Sequence, residues 1–118
     1  MDKICVTIPL KNEYLTTVRL TTGGVCALAE FDMDLAEDVK VCVTESLLIL
    51  KRSGFAQAEV NFEIGETLKV SIVGKDKTAN MEQSDADEIS YALLDALIGG
   101  VTFEKDENGT ATSVYFEV

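Results

Sequence analysis

The chain has 118 residues, of which 10 are basic and 21 acidic, and its formal net charge is −11. This length predicts a single domain, residues 1–118. The excess of carboxylates repels phosphate backbones, so we expect no nucleic-acid partner. A partner with a basic protein surface would suit this charge. The simpler explanation of the negative charge is that it keeps the protein soluble. Apolar residues make up 47%, which favours a folded domain, and no apolar run approaches the roughly 20 residues of a membrane span.

The cysteine pattern and the lack of histidine limit which metal sites and nucleophilic mechanisms the chain could support. Cys5, Cys26 and Cys42 are odd in number and form no C-x-x-C pair, which favours reduced, buried thiols over disulfides or zinc. Without histidine, the commonest base for activating a Ser or Cys nucleophile is missing. The first residues lack the basic and apolar regions of a secretory signal, so we expect a cytoplasmic protein.

The first half of the chain predicts one strand and two helices. Residues 3–9 alternate apolar and polar side chains, as a strand does. Asn12 predicts the N-cap of a helix that runs to about Glu30. Asp34, with a glutamate three residues later, opens a second helix like a capping box, and Gly54 marks its end near residue 52.

The second half predicts two hairpins separated by a helix. In chain order, it contains strands at 58–64 and 68–72 joined by Gly65-Glu66, a polar loop at 74–83, a helix from Ser84 to Ile98, and strands at 101–106 and 110–118 joined by Asn108-Gly109. The predicted order is β-α-α-β-β-α-β-β. Amphipathic helices beside alternating strands predict an α+β two-layer sandwich, with one mixed sheet and the helices on one face.

Three segments resemble a known family: residues 8–9 with 14–19 (YLTTVR), residues 34–46 (DLAEDVKVCVTES) and residues 89–104 (ISYALLDALIGGVTFE). They are similar to the anti-sigma-factor serine kinases, a branch of the histidine-kinase-like ATPases (the GHKL superfamily) that regulates bacterial sporulation and stress sigma factors. The resemblance covers nearly the whole chain and implies the histidine-kinase-like ATPase fold.

The family's second helix carries a Glu that serves as general base and, four residues later, an Asn that holds Mg²⁺ against the phosphates. Glu45 matches the Glu, but Ile49 stands where the Asn belongs. An aliphatic side chain offers no oxygen to Mg²⁺. Glu45 is therefore predicted to be a remnant of the general base. The alternatives are a carboxylate at the helix surface or one paired with Lys51 or Arg52.

Two other family motifs are altered. The Asp-x-Gly-x-Gly motif that reads adenine corresponds to residues 73–78, where Asp76 is a displaced substitute and the glycines are missing. The Gly-x-Gly turn under the phosphates corresponds to residues 87–90, whose carboxylates, including Glu88, would repel triphosphate. The loop of about ten residues implies a shortened ATP lid. These departures predict a degenerate ATP site and no cofactor, neither ATP nor Mg²⁺.

The resemblance moves the expected binding surface to the first helix. In the family, an Arg at the position of Arg19 lies on the surface that contacts the sigma factor or its antagonist. Tyr14 and Leu15 are expected to flank it, although Leu15 also suits the core.

Three hypotheses for function follow. The first is a non-catalytic, anti-sigma-factor-like module for transcription regulation, which binds a sigma factor or antagonist-type protein and forms a homodimer. The second is an ATP-dependent protein serine kinase with a divergent site. The third is a structural or ligand-binding domain that uses the vacated cleft, lined by Ile49, Ile72 and Ile89.

Overall fold

The computed structural model describes residues 2–78 and 86–118. Its elements are β1 (Asp2–Pro9), α1 (Asn12–Leu28), α2 (Met33–Arg52), β2 (Phe55–Ile64), β3 (Leu68–Lys77), α3 (Ala86–Leu97), β4 (Thr102–Lys105) and β5 (Ala111–Glu117). The α+β class, with one sheet beside helices, is confirmed. None of the helices in the described ranges is long and apolar enough to cross a membrane.

The sheet has the strand order β1-β2-β3-β5-β4, and every neighbouring pair is antiparallel. The prediction of a mixed sheet is therefore wrong. Two helices between β1 and β2 return the chain to the end of the sheet that it left, so β2 runs against β1. The single helix α3 leads to β4, which runs in the direction of β3. Because β5 lies between β3 and β4, these two strands form no parallel ladder.

One face of the sheet packs against α1 and α2 and contains the core. Alternate side chains along the central strands point to this face and are buried, as the two-residue period of a strand requires: Ala58, Val60, Phe62, Leu68, Val70, Ile72, Val114 and Phe116. Helix α3 packs against α2, and its Tyr91 ring meets Phe103 of β4 edge to face at 4.8 Å between centroids. The other face of the sheet carries both polar and apolar side chains, and Cys5, Val73 and Tyr115 are among the latter.

The starts of α1 and α2 differ from the sequence predictions by one or two residues. Asn12 is the first residue of α1, not its cap, and its side-chain oxygen accepts a hydrogen bond from Lys51 Nζ at 2.9 Å. Asp32 caps α2, because its carboxylate accepts from the backbone N–H of Leu35 at 2.8 Å. Asp34 therefore lies in the first turn, where a carboxylate suits the helix dipole.

Two large apolar residues of the helices lie on the surface. Leu28 of α1 is 66% exposed and Ile89 of α3 is 64% exposed. Thr22, which no apolar pattern indicates, is fully buried on α1 instead. Its hydroxyl donates to a backbone carbonyl one turn earlier at 2.8 Å, so the polar group is satisfied within the helix.

The polar segment predicted as a loop at 74–83 begins as a strand. β3 continues to Lys77, which pairs with Phe55 at the start of β2. Thr78 follows β3, and its backbone N–H donates to Gly54 at 3.0 Å. The remainder of the predicted loop, and Ser84 as the predicted start of the third helix, lie outside the described residues.

The last hairpin turns through residues 106–110, and Asp106 organises this turn. Its carboxylate accepts hydrogen bonds from the backbone N–H groups of Asn108 at 2.9 Å and Thr110 at 3.0 Å. Gly109, from the predicted Asn-Gly pair, has a positive φ of 78°. The turn is longer than the two-residue hairpin that Asn-Gly indicates. The backbone N–H of Thr110 donates to the Asp106 side chain, where a regular antiparallel ladder would use a backbone carbonyl.

We expect Gly74→Ala to destabilise the domain by about 1–3 kcal/mol, because an added Cβ would meet the Phe55 ring at 2.6 Å. Gly24→Ala is the matched control: nothing lies within 4 Å of its Cβ, so it should stabilise α1 by about 0.5–1 kcal/mol. Urea denaturation measures both. A Phe55→Ala background should remove the cost of Gly74→Ala. Equal effects at the two glycines would contradict this packing.

The turn at Asp106 should make the free energy of unfolding depend on pH in the acidic range. Hydrogen bonds from the backbone of Thr110 and Asn108, together with Lys77, hold the pKa of Asp106 below its ordinary value of 3.8. A carboxyl whose pKa is lower in the folded state than in the unfolded state stabilises the fold at a pH above the unfolded-state pKa. This stabilisation is lost as the pH falls through the folded-state pKa. Asp106→Asn should therefore show a smaller loss of stability than the unchanged chain below about pH 4. Parallel denaturation midpoints for the two proteins across this range would disprove the assignment.

Candidate functional site

Glu45 lies where α2 meets α3. The Ser90 hydroxyl on α3 donates to Glu45 Oε2 at 2.6 Å. The predicted direct pairing with Lys51 or Arg52 is therefore wrong. Lys51 bonds to Asn12 instead, and Arg52 reaches Glu45 only through Ser90.

Arg52 completes a network across the two helices. Its Nη2 donates to Ser90 Oγ at 2.7 Å, and its Nε forms an ion pair with Asp87 Oδ1. The side chains of Arg52 and Asp87 are 16% and 21% exposed, so this pair is largely shielded from water. We call Glu45, Ser90, Arg52 and Asp87 the α2–α3 network. It joins the Arg52 guanidinium directly to the Asp87 carboxylate and, through the buried Ser90 hydroxyl, to the Glu45 carboxylate.

The position that the resemblance assigns to a Mg²⁺ ligand does not fit that role. Ile49 is 1% exposed and packs in the core, one turn after Glu45. Mg²⁺ requires oxygen ligands in a near-octahedral shell, and Ile49 supplies none. Within residues 2–78 and 86–118, no group of three His, Cys, Asp or Glu side chains could hold a metal ion. Ile49 therefore cannot serve as the Mg²⁺ ligand that the resemblance places at this position.

The other predicted nucleotide positions lie on different elements and differ in exposure. Asp76 is exposed near the end of β3 with a positive φ of 59°, and Glu88 is exposed on α3. Ile49 and Ile72 are both buried in the core, whereas Ile89 lies on the surface. The interpretation that these three isoleucines line one cleft is therefore wrong.

The cysteines divide into one exposed and two buried thiols. Cys5 is exposed on β1, so the prediction that all three are buried is wrong for this residue. Burial, with the nearby Asp38 and Glu45 carboxylates, raises the pKa of Cys42 to about 12. Burial also raises the pKa of Cys26, although Lys40 opposes this effect. Because the thiolate is the reactive form, neither buried thiol is suited to nucleophilic chemistry.

The three partner-binding candidates on α1 do not share one face. Arg19 is exposed, and Leu15, one turn earlier, is half-buried against the core. Tyr14 is exposed but lies five residues from Arg19, which places it about 140° around the helix. Only Leu15 and Arg19 are therefore neighbours along α1.

Sequence reasoning missed an apolar strip on the outside of α1. Leu20 is 74% exposed, and Gly24 and the exposed Leu28 follow it at intervals of four residues. Met33, at the start of α2, is 80% exposed. We call Leu20, Gly24 and Leu28 the outer strip of α1. Its signal in the sequence is that these residues are out of phase with the buried Val18, Thr22 and Val25.

Comparison with curated proteins found similarity over most of the chain. The serine-protein kinases RsbW of Staphylococcus aureus strains JH9, Newman and Mu3 are each 30% identical to it over 113 residues. The match takes in 91% of this chain and 64% of each relative, so the chain spans less than two-thirds of those proteins. No family model matches the chain. The similarity supports the resemblance seen in the sequence.

We expect Arg52→Met to lower the free energy of unfolding by about 1–3 kcal/mol, because it leaves the Asp87 carboxylate unpaired in a shielded position. Lys51→Met is the control, since its contact with Asn12 is exposed and should contribute less than about 0.5 kcal/mol. Urea denaturation of both variants measures the difference. A loss no larger than that of Lys51→Met would show that the network does not hold the helices together.

Proposed function

We propose that this chain is a non-catalytic regulatory module that binds a protein partner in the manner of an anti-sigma factor, without binding Mg·ATP. The similarity to serine-protein kinase RsbW supports the anti-sigma class. The main support for a non-catalytic role is Ile49, which is buried and occupies the position where the family has its Mg²⁺ ligand. In this proposal Glu45 is a structural carboxylate.

The contacts of Glu45 support this role. A general base must reach its substrate with a free carboxylate oxygen. Glu45 Oε2 instead accepts a short hydrogen bond from Ser90, whose hydroxyl is also bound by Arg52. The same guanidinium neutralises Asp87 at the start of α3, where the family places phosphate-binding glycines. The polar groups that could bind a nucleotide or act on it here therefore already bond to one another within the α2–α3 network.

The partner surface is proposed to be α1 around Arg19. This exposed guanidinium can pair with a carboxylate of the partner, and Leu20 beside it offers exposed apolar area for contact. A sigma factor or an antagonist-type protein is the proposed partner, bound by the chain as a cytoplasmic homodimer. Nucleic acid and membrane are not proposed as partners, because a chain with a net charge of −11 is repelled by both phosphate surfaces.

A protein serine kinase with a divergent site is the second candidate. It is favoured by the kinase activity for which the similar proteins are named and by Glu45, which matches the family's general base. It requires Mg·ATP to bind without an oxygen ligand at position 49.

Calorimetric titration with Mg·ATP separates the two candidates. We expect no saturable heat and no thermal shift at millimolar ATP, because a ligand that bound the folded state would raise its stability. A serine-protein kinase RsbW serves as the positive control. Magnesium-dependent binding, with phosphate transfer to a serine that Glu45→Gln abolishes, would overturn the non-catalytic proposal.

The partner surface is tested by reversing one charge. We expect Arg19→Glu to weaken binding to the sigma factor of the native host at least tenfold, about 1.4 kcal/mol. Lys75→Glu makes the same charge change at the exposed end of β3 and should alter affinity less than about twofold. Surface plasmon resonance measures both. Equal affinities for the two variants would exclude Arg19 from the interface.

A further inference from the structure

Helix α3 presents one side to the rest of the molecule and the opposite side to the surface. Among the described elements, α3 packs against α2, and Leu94 is buried in the core. Ala92 and Ala96 lie two residues before and after Leu94, which places each of them about 160° around the helix from it. Both alanines are exposed. The side of α3 opposite its buried contact is therefore accessible to another molecule.

This accessible side is apolar. Ile89 is 64% exposed, and the half-buried Leu93 follows it one turn later. Together with the two alanines, these residues have the spacing i, i+3, i+4 and i+7, which places four apolar side chains on one face about 100° wide. A surface helix ordinarily carries polar or charged residues on the side away from its core contact. We call Ile89, Ala92, Leu93 and Ala96 the α3 strip.

Carboxylates border the α3 strip along one side. Glu88 and Asp95 are exposed and seven residues apart, so they differ by only about 20° around the helix. No ion pair within the described ranges uses either of them, whereas the third carboxylate of the helix, Asp87, is paired with Arg52. Helix α3 contains no lysine or arginine. We call Glu88 and Asp95 the acidic edge.

We propose that the α3 strip and the acidic edge dock an amphipathic helix of another protein. The apolar face of that helix covers the strip, and two of its lysine or arginine side chains, seven residues apart, pair with the acidic edge. The sign of the edge selects this occupant, because an acidic helix would bring like charges together as the face loses water. The net charge of −11 attracts a basic partner in the same way.

The same charges argue against other occupants of this face. A second copy of the chain that docked through the same surface would bring two acidic edges into one interface, and α3 has no basic residue to pair with them. An anionic lipid surface or a nucleic acid would be repelled by these carboxylates and by the net charge. A basic helix is the occupant that satisfies both the strip and its edge.

This surface is separate from the partner surface of the proposed function. The proposed partner surface lies on α1 around Arg19, and α2 packs against both α1 and α3. Within the described ranges, α1 and α3 do not contact each other. The inference therefore goes beyond the proposed function and adds a second binding surface on the other side of α2.

The size of the face predicts weak binding. The 12 residues of α3 span about 18 Å, and one docked helix is about 10 Å wide. This footprint is well below the roughly 800 Å² that each partner buries in a standard interface. We expect a dissociation constant on the order of 100 μM, which is typical of a transient contact.

Two synthetic helical peptides of about 18 residues test the charge selection. The basic peptide carries leucines at the spacing of one helix face and two lysines seven residues apart along one edge, and the acidic peptide has glutamates in place of the lysines. Each is titrated into the isotope-labelled full chain and followed by NMR. We expect the basic peptide to shift resonances of residues 88–96 and the acidic peptide to bind at least tenfold more weakly. No saturable shift with either peptide at millimolar concentration would overturn the proposal.

A lysine in the strip tests the apolar contact. We expect Ile89→Lys to raise the dissociation constant of the basic peptide at least tenfold, because it places a charge in the centre of the contact. Leu28→Lys is the matched control, since Leu28 is 66% exposed and lies on α1, and it should change the constant less than twofold. Both positions are on the surface, and thermal denaturation verifies that both variants fold. Equal effects of the two variants would overturn the assignment to α3.

Reversal of one edge charge tests the pairing. Asp95→Lys should weaken the basic peptide and strengthen the acidic one, so that the tenfold preference falls below about threefold. Lysine suits the last turn of a helix, so α3 should remain folded. Glu66→Lys makes the same charge change in the exposed turn between β2 and β3 and should leave the preference unchanged. An unchanged preference in Asp95→Lys would overturn the role of the acidic edge.

These outcomes are distinct from the test of the proposed function. Arg19→Glu alters α1 and should leave the affinity for the basic peptide unchanged, whereas Ile89→Lys should leave the affinity for the sigma factor unchanged. Loss of both affinities in either variant would show that the two surfaces are one and would overturn the second surface.

Discussion

The packing of α2 against the sheet is the constraint on which the rest of the structure depends. Its buried side chains follow the helical period from Val39 to Leu50, and the helix contacts β2, β3 and β5 as well as both other helices. Burial of each large aliphatic side chain contributes about 1.5–3 kcal/mol, so a small rotation of α2 would expose several of them at once. The direction of every other side chain on this helix is set by that packing.

The candidate site follows directly from this orientation. Ile49 points into the core and adds to stability, while Glu45 and Arg52 lie at the edge of the buried stripe and meet α3. Shielded charges are tolerated only when they are paired and hydrogen-bonded. Ser90 and Asp87 supply those partners, so these four side chains join two helices.

Two exposed surfaces lie on opposite sides of the sheet. The outer side of α1 carries Arg19 and the exposed Leu20 and Leu28. The face of the sheet that points away from the helices carries Lys3 and Lys69, which the strand register places beside Glu63.

The sequence by itself determined the α+β class and the single sheet, because these depend on local periodicity and residue type, and it places Ile49 one helical turn after Glu45. Only the tertiary structure decided that the sheet is antiparallel throughout, since β5 lies between β3 and β4. It alone brought Ser90 to Glu45, across 45 residues of chain, and aligned Lys3, Glu63 and Lys69 on neighbouring strands. Long-range contacts of this kind depend on how elements pack, which the period of a single helix or strand does not contain.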